Sequence, residues 1–148
     1  MGSGAAAQRP ETVGLSVSRL LLDTTVLIDA LRERAAAKRL RALRRQGVDP
    51  WVSAISIEEI WRGLRAEEEM AASRLVEALR LAPIGVAEAR RAGRWRREYA
   101  AEGITLHQAD CLIAAAAIGV GAALATANVR DFPMPEVDVQ NWPSTTGE

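Results

Sequence analysis

The stretch LLLDTTVLID, residues 20–29, runs three leucines into an aspartate and then opens a second apolar run through two threonines. The leucines read as a buried strand, and the segment after them as the start of a helix. Asp23 stands at the junction. A carboxylate there is either the cap of the following helix or a member of a site, and one instance does not decide between them.

Outward from that junction the alternation repeats. TTVLIDALRERAAAKRLRALRRQG (24–47) is rich in Ala, Leu and Arg and predicts a helix closed by Gly47. WVSAI (51–55) predicts a second short strand, and SIEEIWRGLRAEEEMAASRLVEALR (56–80) a long helical stretch with a break near Gly63. LAPIG (81–85) reads as a turn or a short strand. VAEARRAGRWRREYAAEG (86–103) predicts a helix ending at Gly103, and TLHQADCLIAAAAIGVG (105–121) opens with a Thr105-to-Gln108 capping-box pattern. AALATA (122–127) and VDVQNW (137–142) are the last extended segments. Short apolar strands alternating with helices imply right-handed crossovers and a mainly parallel sheet covered on both faces, an α/β fold. Ligands in such folds sit beyond the carboxyl ends of the strands.

A length of 148 residues suits one domain with a real core. The formal net charge is zero, so no global positive field marks a nucleic-acid binder, and any such partner has to meet a local patch. The single cysteine, Cys111, excludes an internal disulfide framework, fits a reducing cytosol and reads as a small core residue. Residues 1–18 lack the basic and apolar regions of a secretory signal and read as a loose lead-in. Cys111 to Val129 carry no charge, but their Ala and Gly content and the IGVG punctuation predict helix, turn and strand in place of a membrane span.

Three acids fall where the sheet rule puts a ligand: Asp23 after the first strand, Glu59 shortly past the second, and Asp110 near the start of the helix before the fourth. Each has a structural alternative. Asp23 is placed to cap a helix; Ser56 and Glu59 form an S-x-x-E pattern that would close a helix start on itself. With Thr105 as cap, Ile113, Ala114 and Ala117 follow Asp110 at three, four and seven positions, so the carboxylate falls on the core-facing stripe. A buried carboxylate needs a partner, and the only base nearby on that helix is His107. A shared divalent metal satisfies all three acids; an arginine from elsewhere is the alternative. Oxygen ligands without a His or Cys pattern select Mg²⁺ or Mn²⁺ over zinc, and a metal-bound water then attacks a phosphodiester in line.

Read together, LLLDTTVLIDAL, VSAISIEEIWRGL and HQADCLIAAAAIGVGAALATANVRDF resemble, in order and spacing, the PIN-domain ribonucleases, and among them the VapC-like toxins of bacterial toxin–antitoxin pairs. The last motif is the most specific. The resemblance runs from residue 19 to residue 142 and implies a PIN-like three-layer α/β/α sandwich, with a flexible lead-in over 1–18 and a tail over 143–148. It implies Asp23, Glu59 and Asp110 as metal-site acids and Asp131 as the fourth, with Asn128 and Thr126 orienting ligand or water, and Thr24 and Ser56 supplying supporting hydroxyls. Glu59 fits better than Glu58 because it precedes Ile60 and stands four positions before Gly63, as the family's glutamate does. Asp29, six residues past Asp23, is not expected to reach the metal. The resemblance further implies a Mg²⁺- or Mn²⁺-dependent endoribonuclease acting on RNA in the cytoplasm, a homodimer, and a cognate antitoxin whose tail blocks the acidic groove.

Two arginine clusters stand outside those motifs. Arg90, Arg94 and Arg97 recur on one helix face, with Arg91 and Arg96 beside them and Trp95 and Tyr99 interleaved. That pattern reads either as a phosphate-tracking surface with stacking aromatics or as a solvated face with packed aromatics. Arg39, Arg41, Arg44 and Arg45 form the second cluster, while Trp51, Trp61 and Trp142 read as packing residues and His107 as a capping or packing residue. A receiver-like signalling domain also gathers acids at strand ends, but it needs a lysine after a late strand, and the only lysine, Lys38, lies in the first helical segment. A PIN-like module that binds RNA or protein without catalysis is the other rival, opposed by three acids in register.

Overall fold

The computed structural model describes residues 18–33 and 35–144. Its elements in chain order are β1 (Ser18–Leu22), α1 (Thr24–Leu31), α2 (Ala35–Arg45), β2 (Val48–Ser53), α3 (Ala54–Gly63), a short 3₁₀ turn (Ala66–Glu68), α4 (Glu69–Glu77), β3 (Arg80–Ala82), α5 (Val86–Ala100), α6 (Gln108–Gly119), β4 (Ala123–Thr126), a second 3₁₀ turn (Val129–Asp131) and β5 (Val139–Asn141). The strands form one sheet in the order β3-β2-β1-β4-β5, and every neighbouring pair is parallel. The expected mainly parallel sheet is thus wholly parallel over the described residues. Only Ser18 of the expected lead-in is described, and it begins β1; residues 145–148 of the tail lie outside the described residues.

The leucine run is explained by the position of β1 at the centre. Leu20 and Leu22 pack with Val26, Leu27, Val52 and Ile60 on one face, while Leu21 packs with Trp95, Ile113 and Leu124 on the other. A central parallel strand is buried on both faces, so it carries no polar alternation. Helices α1, α2 and α4 cover the first face, and α5 and α6 the second, which gives the three layers. The charge-free stretch from Cys111 is α6 followed by β4, with Cys111 and Ile113 to Ala117 all buried. No described helix is long and apolar enough to cross a membrane.

Four local expectations are corrected. The single helix over 24–47 is two: the chain turns at Glu33, which adopts a left-handed φ of 57°, and the Asp29 carboxylate turns back to accept from the N–H of Ala36 at 3.3 Å. One unbroken helix of that length would run about 36 Å, well past the edge of a sheet of such short strands. The second strand starts at Val48 and ends at Ser53, so Ala54 and Ile55 already belong to α3. That helix is capped by Ser53, whose Oγ accepts from Ser56 N–H at 3.2 Å, and the Ser56–Glu59 capping box does not form. Nor does the Thr105–Gln108 box: α6 begins at Gln108 after His107, with no side-chain cap. The break at Gly63 is present, LAPIG resolves into β3, and Gly47, Gly103 and Gly121 take the positive φ that ends α2, α5 and α6.

Candidate active site

The strand order reverses beside β1: the chain goes from β1 outward to β2 and β3, then returns to β4 on the other side. That switch point opens a crevice at the carboxyl end of β1, where Asp23 stands. The capping reading of Asp23 holds. It is the N-cap of α1, with Oδ1 accepting from Thr24 N–H at 2.8 Å, and its other oxygen faces the end of β4.

Asp23 is only 5 % exposed, and its Oδ2 is held by two parallel relays. In one, Asn128 N–H donates to Thr126 Oγ1 at 3.0 Å and the Thr126 hydroxyl donates to Oδ2 at 2.7 Å. In the other, Ala127 N–H donates to Thr25 Oγ1 at 3.2 Å and the Thr25 hydroxyl donates to Oδ2 at 3.2 Å. Thr126, expected to orient ligand or water, therefore has its hydroxyl committed to the carboxylate. Thr25 was not among the sequence candidates; its only trace is the doubled threonine after Asp23, because its partner Ala127 is remote in sequence.

Glu59 lies in the middle of α3, freed from any capping task by Ser53. The Thr24 hydroxyl donates to Glu59 Oε1 at 2.6 Å and lies 2.8 Å from Ser56 Oγ. Both expected supporting hydroxyls therefore bear on this glutamate. Glu58 turns outward instead, paired with Arg62 at 3.1 Å on an exposed surface. The helix starts two residues later than a Thr105 cap predicts, so Asp110 sits in the first turn of α6, where it is half-buried, less deep than its expected place on the core stripe. Asp131 and Asn128 are exposed on the turn after β4. Asp29 is elsewhere, accepting from Ala36 N–H and from Ser144 Oγ.

Electrostatics joins these acids. Asp110 is pushed up to about 6, first by burial and then by the charges of Asp131 and Asp23; His107 opposes the rise and Glu59 adds to it. A helix N-terminus ordinarily favours a carboxylate charge, so burial and like-charge neighbours have won here. Asp23 is raised too, mainly by burial, against the hydrogen bonds of Thr126, Thr24 and Thr25 and with a further push from Glu59. Among the described residues Arg62 is ion-paired with the group, but it reaches Glu59 only at 4.0 Å and is spent on Glu58. Among the described residues no three His, Cys, Asp or Glu side chains are drawn together into a ready metal cage. Four carboxylates in one field with no counter-charge among them nevertheless suit a hard divalent cation in donor chemistry and in charge.

Two outcomes can be measured directly. Without metal, folded Asp110 holds its proton to about pH 6 whereas the unfolded chain loses it near 3.8. The folded state binds more protons in that window, so stability falls as pH rises through it. Thermal melting in EDTA is expected to show this fall, and the difference between the chain and its Asp110→Asn variant should vanish at the acid end. A flat difference across the window contradicts the shift. Thr126→Val strips Asp23 of a donor and leaves Asn128 N–H without its acceptor, a loss of about 1–3 kcal/mol in urea unfolding that Thr126→Ser should recover.

The arginine-rich helix is α5. Trp95 is 2 % exposed and packs in the core, and Tyr99 is half-buried with its hydroxyl donating to Pro133 O at 3.2 Å, so the stacking-aromatic reading fails. Trp142 is buried under Arg39, whose guanidinium lies 3.7 Å from the ring centre, and Trp51 and Trp61 are half-buried against the core. Cys111 is fully buried, and burial pushes its thiol up to about 11. His107 is exposed and close enough to Asp110 to act on its charge.

Residues 20–137 match the family model described as PIN domain. Two similar relatives from Mycobacterium tuberculosis are Ribonuclease VapC19, 38% identical over 115 residues covering 77% of this chain and 92% of that protein, and Ribonuclease VapC10, 36% identical over 117 residues covering 79% and 88%. Among solved structures, VapBC2 from Rickettsia felis bound to a DNA fragment from its promoter superposes with a TM-score of 0.74 at 21% identity, covering 84% of this chain and 98% of that one, a likeness of fold. A toxin–antitoxin complex from Klebsiella pneumoniae superposes with a TM-score of 0.65 at 27% identity, with the same two coverages.

Proposed function

We propose, from the premise that this chain belongs to the PIN-domain family, that it is an endoribonuclease and the toxin of a toxin–antitoxin pair. The relatives named ribonucleases align over most of their own length, and toxin–antitoxin complexes are among the structural neighbours. The observation that carries the chemistry is the mutual field of Asp23, Glu59, Asp110 and Asp131 at the switch point, answered among the described residues only by Arg62 at 4.0 Å from Glu59 and by His107 near Asp110. These four would hold Mg²⁺ or Mn²⁺, which when bound supplies counter-charge for a phosphate and a water acidified for in-line attack.

The protein's own work is positional. The two threonine relays fix Asp23 Oδ2 and tie the Asn128–Asp131 turn to β1. Thr24 fixes Glu59 Oε1, so the carboxylate that caps α1 and the one on α3 keep one mutual placement. Asp110 and Asp131 complete the rim from α6 and from the turn after β4. We assign residues 19–142 to the catalytic domain, a cytoplasmic location, and a homodimer, the last tested by a light-scattering mass of twice 16.0 kDa.

The deciding experiment is cleavage of RNA by purified protein, freed of copurified antitoxin by denaturation and refolding, with Mg²⁺ or Mn²⁺ and with EDTA. Cutting that requires the metal is expected. Tight RNA binding with no cutting under either ion would replace this reading with the inert binding module.

A further inference from the structure

The acidic crevice repels the substrate it is proposed to cut, and the chain has no net positive charge to draw RNA in. Affinity has to come from a local surface. Arg90, Arg94 and Arg97 are exposed along one flank of α5, opposite the buried Ala92–Trp95–Tyr99 side. Among the described residues they make no ion pair and no side-chain hydrogen bond. Several arginines on other elements are engaged: Arg62 with Glu58, Arg65 and Arg32 with Glu68, and Arg80 with Asp49. The acids of α5 do not cancel its charge, since Glu88 is spent on the Gly85 N–H at the start of the helix and only Glu98 accompanies five arginines.

Direction matters as much as charge. α5 and α6 pack side by side, joined by residues 101–107, so the carboxyl end of α5 lies at the end of the layer where α6 begins and Asp110 stands. Arg96 donates to Leu106 O at 3.2 Å and fixes that connection. The stripe from Arg90 to Arg97 rises about 10 Å along the helix axis toward the crevice. Self-association through this flank would set guanidinium against guanidinium, so a second copy is a poor occupant.

We infer that Arg90, Arg94 and Arg97 form a track on α5 that holds the phosphate backbone of single-stranded RNA and feeds it toward the acids at the start of α6. The track contacts phosphates only, because the aromatics of α5 are turned into the core, and it therefore adds affinity without reading sequence. This deepens the proposed ribonuclease reading and rests on it for the identity of the strand.

The test is the triple variant Arg90→Gln, Arg94→Gln, Arg97→Gln against a control of equal charge loss on the opposite layer, Lys38→Gln, Arg41→Gln, Arg45→Gln, all exposed on α2. Binding of a labelled single-stranded RNA is followed by anisotropy in EDTA over a salt series, and cleavage of the same RNA in Mn²⁺. The α5 variant should keep the wild-type melting temperature, bind RNA about tenfold more weakly, and lose about two from the slope of log affinity against log salt. In cleavage KM should rise with kcat unchanged, and the α2 control should match wild type. RNA binding and salt slope equal to wild type in the α5 variant overturn the track, as does an equal loss in both variants, which would reduce it to overall charge. A variant that keeps RNA affinity but no longer binds an acidic protein partner overturns it in favour of a protein-docking face. If the wild type binds RNA through the track but never cuts, the ribonuclease reading falls and the track stands.

Discussion

Asp110→Asn is expected to lower metal-dependent RNA cleavage by at least about a hundredfold while raising the melting temperature of the metal-free protein at neutral pH. The two effects have one cause. Above about pH 6 the Asp110 carboxylate is charged and pressed by Asp131, Asp23 and Glu59, against which His107 is too weak a counterweight. Asparagine keeps the shape and removes the repulsion, so the empty fold gains. It also removes a ligand charge, so the stabilisation that Mg²⁺ or Mn²⁺ confers by mass action should shrink. Calorimetric or fluorescence melts with and without metal, beside a cleavage assay, read all three quantities. A variant that cuts RNA at the wild-type rate would remove Asp110 from the site, and one that melts lower without metal would show its charge to be compensated after all.

Trp95→Ala is expected to cost about 3–5 kcal/mol, the range for emptying a fully buried indole, and to lower the melting temperature by about 10 °C or more. Trp95 joins α5 to the layer containing Leu21, Ile113 and Leu124, so its cavity opens beneath the helix that carries Asp110. Trp95→Phe refills much of that space and should lose far less. At temperatures where Trp95→Phe remains folded, its RNA affinity should equal that of the parent chain, because the ring does not reach the surface. Loss of RNA affinity without loss of stability would restore the stacking interpretation.

The acids and the sheet were legible because both follow from position in a repeating pattern. A carboxylate after a run of buried leucines marks a strand's carboxyl end, and the IGVG punctuation marks the end of α6 and the approach to β4. Cap assignments were not legible to the same degree. Ser53 and Ser56 are three residues apart and both are competent caps, and only the pairing of β2 with β3, which sets Ser53 against Ala82, decides that the strand ends at Ser53. Thr105 lost its role for a related reason: residues 104–107 join no helix or strand, with Leu106 buried and its carbonyl held by Arg96, and the cap position falls on His107. The division of α1 from α2 was hidden because neither glycine nor proline marks it; the turn falls on Glu33, and the Asp29 cap that starts the second helix acts across seven residues. The roles of Thr25 and Thr126 depend on partners more than a hundred positions away, beyond what local pattern conveys.

Those two threonine relays also set an order of events during synthesis. Asp23 is made among the first residues of the domain with Thr24 and Thr25 beside it, but the Thr126 hydroxyl and the Ala127 N–H that complete its two relays arrive about a hundred residues later, and β4 is itself held next to β5 through Trp142 N–H to Thr126 O at 2.8 Å. A nascent chain on the ribosome therefore has its first acid long before it has a formed centre, and the arrangement is complete only once β4 and β5 have followed.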